Sequence, residues 1–353
     1  MTTARTSVTI GGREVGPGAA PFVIAEMSGN HDGSLERAED IVRMAAKAGA
    51  HAIKLQTYTA DTITIDADTA PFHISDAHGL WGGRRLYDLY EEAHTPWEWH
   101  EPLFDLARGL GMQAFSSPFD ASAVEFLDKL DVPCFKIASS EIVDLPLIRA
   151  AAERGKPVII STGMASVGEI DAAVSAARST GNEDVLLLSC TANYPADPRE
   201  SHLRGIPVLG DAFDVPVGLS DHTLGIGAAV AAVALGAVLI EKHVTLSRAD
   251  GGVDSAFSLE PDELAALVRE SETAWRALGQ PRIGATAGEA EGLRFRRSLF
   301  VVEDVAAGEV VTAANVRSIR PAGGLAPDLL DVVRGRTFRC AVERGTPLSW
   351  DLL

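Results

Sequence analysis

Polar residues stand where short apolar runs end, and their types are those of a site that handles anions and a metal. They are Glu26, Lys54 with Gln56, Ser116 with Ser117, Lys136 with Ser139 and Glu141, Ser161 with Thr162, Asn193 with Tyr194, Ser220 with His222, and Glu241 with His243. Lys54 and Lys136 interrupt the apolar strings AIKLQ and CFKIAS in a chain that has only six lysines. One lysine in a strand snorkels or pairs with a carboxylate. Two of them, ringed by the hydroxyls of Ser117, Ser139, Ser161 and Ser220, match a ligand carrying a phosphate and a carboxylate.

His222 in GLSDHT and His243 in IEKHVT end neighbouring candidate strands. Adjacent strands lie about 4.8 Å apart, so both imidazoles reach one ion. Two neutral nitrogen ligands with open positions fit a catalytic Mn²⁺, Zn²⁺ or Fe²⁺, not a closed structural site. Glu26 falls in the same sector if the first strand closes against the last. Asp254, in GGVDSAF, is a second acid there and reads equally well as a turn residue. Glu141 either caps a helix or serves as a base. Cys190 reads as inert core.

Eight strand candidates position these groups, at 22–27, 51–56, 113–118, 134–139, 157–162, 185–190, 215–220 and 238–244. Their near-continuous apolar character fits parallel strands covered on both faces. Helical patterns fill the gaps: one opens at Ser34, one follows Asp144, one follows the Ser166/Glu169 capping box, and one opens at Pro261. Eight β/α units predict an α/β fold, a (β/α)₈ TIM barrel with its chemistry at the C-terminal strand ends. A doubly wound sheet is the alternative, but no GxGxxG follows the first strand. The barrel domain is assigned to 1–282, with an N-terminal hairpin at 5–16 plugging its bottom and a βα insertion at 57–96 over its mouth. A linker spans 283–292. Residues 293–353 read as a small β-rich domain of short runs broken by turns.

The 353 residues carry 31 basic and 49 acidic side chains, a net charge of −18. A net-acidic surface argues against general binding to nucleic acid or anionic membranes. From Leu293 onward nine Arg face seven acids, so the charge is concentrated in the barrel. Three separate cysteines form no disulfide or zinc framework and suit a cytoplasmic protein. The N-terminus lacks the apolar core of a signal peptide, and no apolar run reaches spanning length.

Together IAEMSGNHDG, AIKLQTY, FSSPFD, FKIASSE, STGMAS, CTANYPA, GLSDHT and EKHVT resemble the motifs of the sialic acid synthase family, in order, from residue 23 to about 260. In that family the barrel is followed by a small antifreeze-like SAF domain of β-clip type, which 293–353 resembles. The insertion WGGRRLYDLYEEAHTPWEWH and the segment VDSAFSLEP are most similar to the branch that makes pseudaminic acid. The resemblance implies condensation of phosphoenolpyruvate with 2,4-diacetamido-2,4,6-trideoxy-L-altrose and water, releasing phosphate. Related branches make N-acetylneuraminic and legionaminic acids.

By the same resemblance, Lys54, Ser117, Lys136, Ser139, Ser161, Asn193 and Ser220 hold phosphoenolpyruvate. His222 and His243 hold a divalent metal, typically Mn²⁺, with Mg²⁺ or Co²⁺ as alternatives. Glu26, Gln56, Tyr194 and Asp254 face the sugar. By their own chemistry, apart from the resemblance, Glu26, Glu141 or Asp254 is expected to activate the water or to steady the charge at C2. Arg320, in SIRPAGG, matches an arginine that reaches the sugar from the partner of a domain-swapped homodimer. Ser117 stands where many relatives carry Thr, and both offer a hydroxyl. Two other classes compete. A Schiff-base aldolase would need Lys136 as its amine. A non-catalytic glycan-binding protein would rest on the tail.

Overall fold

A computed structural model describes residues 7–75 and 79–353. The chain divides into two compact units, Met1–Gly279 and Gln280–Leu353. The first opens with a hairpin of β1 (Val8–Ile10) and β2 (Arg13–Val15), paired antiparallel. Residues 5 and 6 of the expected hairpin lie outside the described residues. Gly11 and Gly12 turn it with φ of 54° and 82°, the left-handed geometry that two-residue hairpin turns demand. Val8, Ile10 and Val15 are buried in the main core, and Gln113 at the foot of the barrel donates to Gly11 O (3.3 Å). The hairpin therefore closes the end opposite the strand C-termini.

Eight parallel strands follow: β3 (Phe22–Glu26), β4 (Ala52–Thr57), β5 (Gln113–Pro118), β6 (Phe135–Ile137), β7 (Val158–Ser161), β8 (Val185–Cys190), β9 (Val217–Asp221) and β10 (Leu239–His243). Their order is β5-β4-β3-β10-β9-β8-β7-β6, and the end strands β5 and β6 pack side by side, so the sheet is a nearly closed barrel. β3 and β10 are buried at every position, as strands covered on both faces must be. Gly218 of β9 is required by packing, because a Cβ there would stand 2.3 Å from Leu239 O.

The expected helix starts are present. Ser34 accepts from Arg37 N, Asp144 from Leu147 N, and Ser166 with Glu169 forms a capping box. The helix Pro261–Leu278 opens on its proline. The strand expected at 134–139 is shorter, because the chain turns into a 3₁₀ segment at Ser139–Val143. Among the described residues no helix is long and apolar enough to cross a membrane.

The described part of the insertion holds short helices at Ala60–Ile63 and Leu86–Ala93, tied by Arg85 to Asp66 and Asp88. Its aromatics divide by role. Trp97 lies 4.7 Å from Phe126, and Tyr90 meets Tyr58 edge-on at 5.7 Å, Tyr58 in turn meeting Phe119 just after β5 at 5.1 Å, so both chains of contact fasten the loop to the barrel. Tyr87 donates to Asp61. Trp81 instead reaches the strand ends, where its Nε1 donates to Val253 O (3.1 Å).

In the second unit β11 (Ser298–Val301) pairs antiparallel with β12 (Val316–Ile319), and isolated bridges join Val305 to Val342 and Val310 to Thr337. Leu299, Val301, Val316, Phe338 and Leu348 form its own small core.

Candidate active site

Parallel register brings the strand-end groups into one layer. Glu26 stands opposite both Lys54 and His243, Gln56 opposite Ser117, and Ser220 opposite both Cys190 and Glu241. At the centre both lysines are buried. Lys54 Nζ pairs with Glu26 Oε2 and lies 3.3 Å from Ser117 Oγ. Lys136 Nζ donates to Ser161 Oγ (2.6 Å) and to Ile137 O (3.1 Å).

Glu241 sits between the lysines. Its Oε1 lies 3.8 Å from Lys54 Nζ and 3.9 Å from Lys136 Nζ, and it accepts from Ser220 Oγ (3.1 Å). Its Oε2 is buried with no hydrogen-bond partner. The sequence points to Glu241 only as a strand-end acid. The register makes it the counter-ion of both lysines, so two ammonium groups share the layer with two carboxylates.

Burial, opposed by Lys54 and assisted by Glu241, pushes the Glu26 carboxyl up to about 7. Burial also works against charge on Lys54, but Glu241 and Glu26 outweigh it and hold Lys54 above the usual lysine range. Burial leaves Lys136 below that range. Glu241 is held below the usual carboxylate range, because Lys136, Lys54 and Ser220 together overcome its burial. Glu141, half-buried on the 3₁₀ segment after β6, is raised to about 7 chiefly by burial, and its Oε2 has no partner.

At the ends of β9 and β10 His222 and His243 have ring centroids 5.2 Å apart. His222 Nδ1 lies 2.9 Å from Thr191 O, a contact that puts a proton on Nδ1 and turns Nε2 into the lone-pair nitrogen. His243 Nδ1 is buried without a hydrogen-bond partner, 3.8 Å from Asp254 Oδ2. Burial keeps His243 well below the usual histidine range, so its ring is neutral. Tyr194 (4.4 Å from the His222 ring) and Phe257 (5.0 Å from His243) wall the pair, and Trp81 covers Tyr194 at 5.4 Å. Among the described residues no group of three His, Cys, Asp or Glu is close enough to enclose a metal. Two imidazoles side by side are a pair of nitrogen donors and not a closed structural site.

Gln56 joins the two halves, donating to Glu26 Oε1 (3.2 Å) and to Ser28 Oγ (3.1 Å), and Ser28 donates in turn to Asp254. Ser139 is half-buried against Gly163, where an added Cβ would stand 2.4 Å from its own. Two expected residues lie at the surface of their own units. Asn193 is exposed and donates to Glu200 Oε2 (2.9 Å). Arg320 is exposed on the second unit.

Two further groups carry no signal in the sequence. Lys242 and Asp221 occupy the alternate pleat positions beside His243 and His222. They form a buried pair (2.7 Å) in which Lys242 also donates to Thr223 O (2.6 Å) and Asp221 accepts from Thr223 N (2.9 Å). Ser28 adopts φ 48° although it is not glycine.

The model of the NeuB family matches residues 41–282, and that of the SAF domain matches 296–353. The chain is 42% identical over 328 residues to a pseudaminic acid synthase of Campylobacter jejuni, covering 93% of this chain and 95% of that one. It is 33% identical over 336 residues to an N,N'-diacetyllegionaminic acid synthase of Legionella pneumophila, covering 94% of each. The crystal structure of an N-acetylneuraminic acid synthetase from Leptospira borgpetersenii, in complex with citrate, is similar with a TM-score of 0.73 and 32% identity, over 83% of this chain and 97% of that one.

Proposed function

The chain belongs to the NeuB family, and from that premise we propose that it is a pseudaminic acid synthase. It joins phosphoenolpyruvate to 2,4-diacetamido-2,4,6-trideoxy-L-altrose and water, with release of phosphate. The observation that carries the reading is the buried layer in which Lys54, Lys136 and the hydroxyls of Ser117, Ser161 and Ser220 converge beside two imidazoles. The higher identity to a pseudaminic acid synthase than to a legionaminic acid synthase supports the choice of sugar.

The proposed roles follow from the chemistry of each group. Lys54 and Lys136 take the phosphate and carboxylate of phosphoenolpyruvate, with Ser117, Ser139, Ser161 and Ser220 as hydroxyl donors. Asn193 is assigned to the same substrate, which requires it to leave Glu200. Gln56, Tyr194 and Asp254 orient the sugar, with Trp81 as a wall. The imidazoles of His222 and His243 fit a divalent cation, Mn²⁺ by the family resemblance, which when bound supplies Lewis acidity to an aldehyde oxygen. C3 of the enol then attacks the aldehyde carbon, and positive charge develops at C2.

Glu141, near neutrality in pKa and with a free oxygen, takes a proton from the water that adds to C2. The hemiketal phosphate breaks its C2–O bond, and the lysines neutralise the departing dianion. Arg320 is proposed to act from a second copy of the chain.

The test is phosphate release from phosphoenolpyruvate and Mn²⁺ with three sugars in competition: the altro-configured diacetamido sugar, the legionaminic precursor and N-acetylmannosamine. Preference for the first is expected. Preference for either of the others overturns the choice of sugar, and silence with all three from folded, metal-loaded protein overturns the synthase reading.

A further inference from the structure

Ser28 follows β3 and Met27 in the loop at the C-terminal end of β3, the strand that pairs with β4 on one side and β10 on the other. Its φ of 48° is left-handed, a conformation that glycine adopts freely and serine does not. The residue is buried, at 4% exposure, so exposure to water does not explain the choice of a polar side chain. Every polar atom available for the purpose is directed at a functional carboxylate. The Ser28 N–H donates to Glu26 Oε1 (3.1 Å). The hydroxyl accepts from Gln56 Nε2 and donates its single proton to Asp254 Oδ2. A hydroxyl that receives from one side and gives to the other has a fixed orientation. The loop is anchored on its far side as well, where Asn30 Nδ2 donates to Val244 O (2.9 Å) and to Ser258 Oγ (2.8 Å).

We propose that Ser28 is a positioning residue for the sugar subsite, its left-handed backbone and directed hydroxyl setting the distance and orientation of Glu26 relative to Asp254. A non-glycine residue at positive φ in a buried loop is strain that the surroundings must hold, and such strain gathers where geometry matters to function. The lysines and serines of the phosphoenolpyruvate layer make no contact with the Ser28 hydroxyl, whereas Gln56 and Asp254 do. Its loss should therefore be felt by the sugar more than by phosphoenolpyruvate. This inference rests on the synthase reading above.

Ser28→Gly and Ser28→Ala in the full chain separate function from fold. Glycine relieves the backbone and removes the hydroxyl, whereas alanine removes the hydroxyl and keeps the strain. The expected Tm of Ser28→Gly lies within about 3 °C of the parent and above that of Ser28→Ala. Both variants should lose about tenfold or more in kcat/KM for the sugar, with the phosphoenolpyruvate KM moved by less than about threefold. Sugar kcat/KM near the parent value in Ser28→Gly overturns the proposal, and so does an equal shift in both KM values. A Tm loss in Ser28→Gly greater than that in Ser28→Ala also overturns it, since the backbone would then not be strained. That melting comparison stands even where the parent releases no phosphate, the result that defeats the synthase reading by itself.

Discussion

Replacing Lys242 by methionine tests whether the loop after His222 is held by a buried charge pair. Lys242 and Asp221 have side chains 1% and 2% exposed, and their 2.7 Å contact lies between β10 and β9, one residue away from each histidine. Removing one member leaves the other charge buried without a counter-ion, at a cost of about 3–5 kcal/mol. The barrel unit spans Met1–Gly279. With an unfolding entropy of about 2 cal/mol/K per residue, that cost lowers Tm by roughly 5–9 °C. Replacing both members, Asp221→Leu with Lys242→Met, removes the stranded charge and should recover most of the loss. The double variant still lacks the grip on Thr223 N and Thr223 O that holds the chain just after His222. Mn²⁺ affinity should therefore stay down by about tenfold or more even as Tm recovers. Differential scanning calorimetry and metal titration read the two quantities separately. A Lys242→Met protein that melts within about 1 °C of the parent, or a double variant no more stable than that single one, would refute the reasoning.

Other consequences are open to direct measurement. Lys54→Met should raise the phosphoenolpyruvate KM far more than a change in ionic strength does, because the pairing is local and buried; the reverse order would contradict the assignment. Burial lowers His31, His51 and His100 to about 4, so below the ordinary histidine pKa the unfolded chain binds more protons than the folded one. The stability these neutral rings contribute is complete above about pH 6.5 and is lost as pH falls through about 4, by up to roughly 3 kcal/mol for each ring. Tm should fall across that window, less steeply in His100→Leu, and a flat profile would be inconsistent. Glu141→Gln should lower kcat more than either KM and remove the lower limb of the kcat profile near pH 7. If Arg320 acts on a partner's site, mixing Arg320→Ala chains with His222→Ala chains should restore part of the activity, while neither variant alone shows it.

The barrel was legible because its strands are buried on both faces and therefore read as apolar runs, interrupted by Lys54 and Lys136 and otherwise ended by polar residues. Lys54, Lys136, His222 and His243 stood out for that reason. Glu241 was visible as a residue and its role was not, since only the register of β10 against β9 puts it between lysines. Asp221 and Lys242 were hidden, because being charged at a strand end does not say which face of the sheet a residue occupies. Ser28 was hidden for a different reason: SGN contains a glycine at the next position, and nothing local shows that the serine takes the left-handed turn. Of the aromatic residues in the insertion, Trp81 reaches the mouth while Trp97 and Tyr90 pack the loop down, a division that depends on where the loop's short helices end.

The pairing of two buried lysines with two buried carboxylates has a calorimetric consequence. An anion entering that layer adds negative charge beside Glu26, whose carboxyl already sits near 7. Its proton affinity must rise as the ligand binds, so at pH 7, where that carboxyl is already about half protonated, association takes up at most about half a proton from the medium. The measured heat of phosphoenolpyruvate binding should then vary with the ionisation enthalpy of the buffer, and the slope of that variation counts the protons.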